Sequence, residues 1–100
     1  MNRNMIRQAQ KLQAQLQKVQ EELESATVEG SAGGGVVKVV MSGKQTVESV
    51  TIEPEAVEDV ELLQDLVAAA VNDAFTKTQE MAAQKMNAIT GGMKIPGMGF

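Results

Sequence analysis

Apolar side chains at Met5, Ala9, Leu12, Leu16, Val19, Leu23 and Ala26 recur at alternating spacings of 4 and 3 residues. A seam sustained over three such repeats predicts a helix from 5 to 26 lying along another helix, because a 3.5-residue period keeps one narrow stripe facing a partner. A strand, with its period of two, cannot produce this order. The stretch holds neither Pro nor Gly, and its Leu, Gln, Lys, Glu and Ala favour helix intrinsically.

Beyond this helix the pattern changes. Val36-Val37-Lys38-Val39-Val40-Met41 is a β-branched run of strand type. Ser42-Gly43-Lys44 supplies a turn, and 45–52 continues as a second strand with Val50 and Ile52 on one face. Glu53-Pro54 ends it, since Pro cannot donate to a ladder and holds the preceding residue extended. Thr27-Val28-Glu29 forms a further strand ahead of Gly30, Gly33, Gly34 and Gly35, which predicts a three-stranded antiparallel meander.

Helical periodicity then returns. Asp59 is placed to cap a second long helix, with Glu61 and Asp65 near the positive end of its dipole. The helix should run to about Ile89, and Gly91-Gly92 should stop it. Apolar positions 63, 67, 70, 71, 74, 75, 81, 82, 86 and 89 form a stripe wider than a coiled-coil seam, so it faces both the sheet and another helix. Candidate core or dimer residues are Met5, Leu12, Leu16, Val19 and Leu23 on the first helix and Leu66, Val67, Ala70, Val71 and Ala74 on the second. The pattern reads as one α+β domain over 1–92, with 93–100 as a Met-, Gly- and Pro-containing tail.

Length decides the oligomeric state. A helix of about 30 residues spans ~45 Å, whereas a compact domain of this size is only about 35 Å across. Both helices therefore project beyond their own core and carry apolar seams with them. A second copy of the chain is the nearest source of cover, so a homodimer is expected.

The 100 residues include no His and no Cys. That excludes disulfide scaffolds, metal sites built on those residues, Cys nucleophiles and His-based acid–base catalysis. An enzyme, a cofactor and a small-molecule substrate are accordingly not expected. Phe75 and Phe100 are the only aromatics, so base stacking on aromatic platforms has no material. The longest apolar run, Leu66 to Val71, is far short of the ~20 residues a membrane span needs. No signal-type apolar stretch follows Met1, and the expectation is a cytoplasmic protein without a membrane partner.

Three clusters remain as candidate chemistry. Gly30-Ser31-Ala32-Gly33-Gly34-Gly35 is followed by a strand, not by the Lys, Ser or Thr and helix that a phosphate loop needs, and reads as a hairpin connection. Glu53, Glu55, Glu58, Asp59, Glu61 and Asp65 lack metal-loop spacing and read as the solvated start of a helix. Arg3, Arg7, Lys11 and Lys18 are separated by 4, 4 and 7 residues, which puts all four within an arc of about 80° on the side away from the seam. A solvated helix face explains four charges; duplicated in a dimer, the same stripe can contact DNA phosphates at two places. The net charge is −4, but residues 46–66 carry seven of the thirteen acids and no base, leaving the rest of the chain net positive.

Four stretches resemble the YbaB/EbfC family of small bacterial nucleoid-associated proteins. They are Met5-Ile-Arg-Gln-Ala-Gln-Lys-Leu-Gln-Ala-Gln-Leu-Gln-Lys-Val-Gln-Glu-Glu-Leu, Gly33-Gly-Gly-Val-Val-Lys-Val with Ser42-Gly43, Asp65-Leu-Val-Ala-Ala-Ala-Val-Asn-Asp-Ala, and Ile89-Thr-Gly-Gly-Met-Lys-Ile-Pro-Gly-Met. Together they span nearly the whole chain in order. The resemblance implies a homodimer with a central antiparallel sheet and tweezer-like helical arms that binds double-stranded DNA at the nucleoid and catalyses nothing. It also implies that Lys77 and Lys85 join Arg3, Arg7, Lys11 and Lys18 in contacting DNA. The other reading is a prefoldin-like holdase or helix-docking adaptor, which the seven Met and the long paired helices would suit.

Overall fold

A computed structural model describes residues 2–90, in the order α1 (Arg3–Ser25), β1 (Thr27–Ala32), β2 (Val37–Ser42), β3 (Val47–Ile52), a 3-10 turn (Pro54–Glu58) and α2 (Val60–Thr90). The expected glycine stop at 91–92 and the tail from 93 lie outside the described residues. The strands form an antiparallel meander in the order β1-β2-β3. Two caps mark the helix starts. The Asn2 side chain accepts the Asn4 N–H at 3.0 Å, and Asp59 Oδ1 accepts the Leu62 N–H at 3.1 Å.

The core is a sandwich of α2 on the sheet. Val37, Val39 and Met41 of β2 point to one face, where they bury against Ala70 and Ala74, with Val28, Ala32, Ile52, Leu63, Leu66, Val67 and Val71 packed around them. Small residues on α2 let the sheet approach closely, and Gly30 completes the approach. A Cβ there would meet the Ala70 carbonyl oxygen and the Ala74 amide, with the Ala74 Cβ at 2.7 Å. β1 runs on to Ala32, past the Glu29 expected from composition, because Gly30, Ser31 and Ala32 pair with Val39, Lys38 and Val37. Gly33, Gly34 and Gly35 then make the turn at φ 66°, 72° and 96°, a conformation costly to any residue with a Cβ.

A bulge shifts β3. Val40 faces Ser49 and Met41 faces Val47, so Glu48 is an extra residue. It places Val47 beside Val50 and Ile52, opposite Met41, Val39 and Val37, on the face that carries α2. Yet α2 lies over β1 and β2, and Val47 and Val50 remain exposed.

The second half of α2 leaves the sheet and meets the C-terminal half of α1. Val19 and Leu23 bury there and Leu16 is half-buried. Gly43, in the β2–β3 turn, sits against the last turn of α1 with space for no Cβ, since one would lie 2.9 Å from the Leu23 Cα. Towards its N-terminus α1 is uncovered: Met5 is 59% and Leu12 45% exposed, so the upper seam is no part of this chain's own core. The described chain extends 66 × 25 × 16 Å with a radius of gyration of 18.7 Å, against ~13 Å for a compact domain of its length.

Candidate nucleic-acid interface

Arg3, Arg7, Lys11 and Lys18 are exposed along one side of α1. No hydrogen bond or ion pair ties their side chains to another described residue. From Arg3 to Lys18 the stripe runs ~22 Å along the helix, the axial rise of about six base pairs of duplex. Asn2 caps this helix and Val19 and Leu23 anchor its C-terminal half, so Arg3, Arg7 and Lys11 are carried on the half that projects beyond the core.

The two cations expected on α2 stand differently. Lys77 Nζ donates to the Glu29 carbonyl at 2.8 Å and lies 3.3 Å from Asp73 Oδ2. Asp73 Oδ2 also accepts the Ser31 N–H at 3.0 Å. That backbone hydrogen bond and the Lys77 ammonium hold the Asp73 carboxyl below its ordinary pKa. Lys77 is thus a fastener between α2 and β1. Lys85 Nζ lies 3.2 Å from Glu22 Oε2 and bridges α2 to α1. Lys44, in the β2–β3 turn, donates to Gln20 Oε1 at 3.1 Å. Lys38 on β2 is exposed and untied as well, but it stands alone, whereas the α1 stripe groups four untied cations on one side of one helix.

Charge is segregated along the long axis. The acidic stretch 46–66 makes up β3, the 3-10 turn and the first turns of α2, at the sheet end of the molecule. There the Glu55 carboxyl is pushed above its ordinary pKa by a hydrogen bond to Glu53 and by that neighbour's negative charge. The basic stripe occupies the opposite, projecting end. An overall acidic pI of about 4.7 is compatible with an anion-binding arm because the two charges are at different ends. Among the described residues no group of three acidic side chains is placed to hold a metal ion, and no helix is long and apolar enough to cross a membrane.

One feature escaped the reading of the sequence. Val47 and Val50 lie open on the α2-bearing face of the sheet, and Phe75 is exposed on α2. Asp73 faces β1, and at 100° per residue Phe75 lies on the opposite flank, towards the uncovered β3 side. The signal was the Glu48 bulge, which no local pattern announces.

The chain is similar to known proteins in sequence and in fold. The sequence model of the YbaB/EbfC DNA-binding family matches residues 1–93. A protein of Desulforamulus reducens named nucleoid-associated protein is 58% identical over 96 residues, covering 94% of this chain and 91% of its own. One of the same name from Caldanaerobacter subterraneus is 53% identical over 97 residues, covering 95% and 87%. The crystal structure of an uncharacterized protein, HP0035, of Helicobacter pylori superposes with a TM-score of 0.78 at 20% identity, over 91% of this chain and 99% of that one, and shows the same fold.

Proposed function

The chain belongs to the YbaB/EbfC DNA-binding family, a family of DNA binders and not of enzymes, and on that premise we propose that it binds double-stranded DNA as a cytoplasmic, nucleoid-associated homodimer. The observation that carries this reading is the α1 stripe: four untied cations along ~22 Å of a projecting helix, remote from the acidic end. Arg and Lys on such a rod suit phosphates, which position a protein on the duplex without reading its bases. Binding is then largely sequence-tolerant, as a role in chromosome organisation or gene regulation requires. With Phe75 and Phe100 as the only aromatics, single strands bind less well.

Two open apolar surfaces support the homodimer. Val47, Val50 and Phe75 form one, and the upper seam at Met5 and Leu12 forms the other. A second copy covers both and presents a second basic arm. The same surfaces would also serve a holdase, and the two readings separate cleanly. A duplex-shift titration across salt concentrations, run beside an aggregation-suppression assay, should give affinity that falls steeply with salt and little suppression. Affinity unchanged by salt, with strong suppression, would establish the holdase reading instead.

A further inference from the structure

Where α1 and α2 part, a groove of about 430 Å³ opens between them, with Val19, Ala88 and Ile89 as its apolar lining. Lys18, the last cation of the α1 stripe, lines it from one side, and Lys85 lines it from the other. Glu22, one turn after Lys18, also lines it and holds Lys85 at 3.2 Å. Two cations and one carboxylate thus share a cleft at the inner end of the stripe. The ion pair is not deeply buried, with side chains 29% exposed at Lys85 and 43% at Glu22. An anion can therefore compete for the lysine at small cost, since pairs this open are weak.

We propose that Lys18 and Lys85 form a phosphate seat between the two helices, and that Glu22 is its built-in competitor. In the free protein the Glu22 carboxylate occupies Lys85. When a duplex lies along the stripe, a backbone phosphate takes the carboxylate's place, and Lys85 bridges the DNA to both helices. Glu22 then lowers affinity for any polyanion that cannot displace it, so the seat favours the dense charge of a duplex. The inference rests on the proposed DNA binding.

A double-mutant cycle on duplex affinity tests it, using Glu22→Gln, Lys85→Gln and the pair. Glu21→Gln serves as the control, because it removes a charge of the same sign one residue away, where no ion pair exists among the described residues. Glu22→Gln should tighten binding about two- to fivefold per groove, and that gain should vanish in the Lys85→Gln background. The smaller gain from Glu21→Gln should be the same in both backgrounds. Lys85→Gln alone should reduce the salt slope by about 0.9 per engaged groove, which a merely structural brace would not do. If the Glu22→Gln gain persists without Lys85, or if Lys85→Gln leaves the slope unchanged, the seat is refuted. A parent protein whose duplex affinity ignores salt refutes the DNA-binding reading itself, a distinct outcome.

Discussion

Replacing Gly30 with alanine should cost this protein about as much stability as one added methyl can. Gly30, on the edge strand β1, pairs with Val39 of the central strand, directly beneath Ala70 and Ala74. The new Cβ would fall inside the closest separation that real Cβ atoms adopt from the Ala70 carbonyl oxygen, the Ala74 amide nitrogen and, at 2.7 Å, the Ala74 Cβ. Two of these are helix backbone, and none is the free end of a flexible side chain. Relief requires α2 to lift from β1 across the stretch that buries Val37, Val39 and Met41. Overpacking costs about 1–3 kcal/mol, and a clash against backbone sits at the upper end. About 3 kcal/mol corresponds to more than 10 °C in melting midpoint for a chain of this size. The comparison is Gly34→Ala, where φ is +72° and an added Cβ meets nothing within 4 Å, so only the backbone penalty of about 1–2 kcal/mol applies. Thermal melting followed by circular dichroism, at one protein concentration, should rank parent, Gly34→Ala and Gly30→Ala in falling order. A Gly30→Ala midpoint equal to or above that of Gly34→Ala would mean that α2 does not rest on β1 as described.

Analytical ultracentrifugation at micromolar concentration should report twice the monomer mass of 10.7 kDa, and Val47→Asp with Val50→Asp should shift it towards monomer. Leu16→Asp, in the half-buried seam, should dissociate or unfold the protein, seen as monomer mass or lost helicity. Asp73 has a folded-state pKa below its ordinary 3.8, so its contribution is full above that value and is lost as pH falls through the depressed one. The midpoint difference between parent and Asp73→Asn should therefore be constant from neutral pH to about pH 5 and shrink in stronger acid; a difference that grows in acid would reverse the assignment.

Much of this architecture is legible in the sequence because it is set by local periodicity. The Met5–Leu23 seam, the β-branched run around Val39 and the Asp59 cap each act through residues a turn or a strand apart. What escapes local reading depends on distant partners. Gly30 looks like a strand breaker until α2, forty residues on, demands its missing Cβ. Glu48 looks like part of a plain alternation until pairing with β2 makes it a bulge that exposes Val47 and Val50 together. Lys77 and Lys85 share the sign and helical setting of the α1 cations, but their ties to Glu29 and Glu22 span 48 and 63 residues. The stripe was visible for the opposite reason: all four cations lie on one helix, and their spacing alone puts them on one side.

The central claim, that this stripe carries DNA binding, meets its most direct test in a salt titration of two variants. In the first, Arg3, Arg7, Lys11 and Lys18 are all changed to Gln, which keeps helix propensity and leaves the seam untouched. In the second, Lys38, Lys44 and Lys94 are changed in the same way. If both arms of a dimer engage, the eight stripe cations should contribute about −7 to the parent's slope of log affinity against log salt, from about 0.9 per phosphate contact. The stripe variant should keep its mass and its melting midpoint, lose most of its affinity and show a nearly flat slope, while the second variant binds almost as the parent does. Equal losses in the two variants would contradict the account, because the contacts would then be spread over the surface and α1 would be no more than a solvated helix.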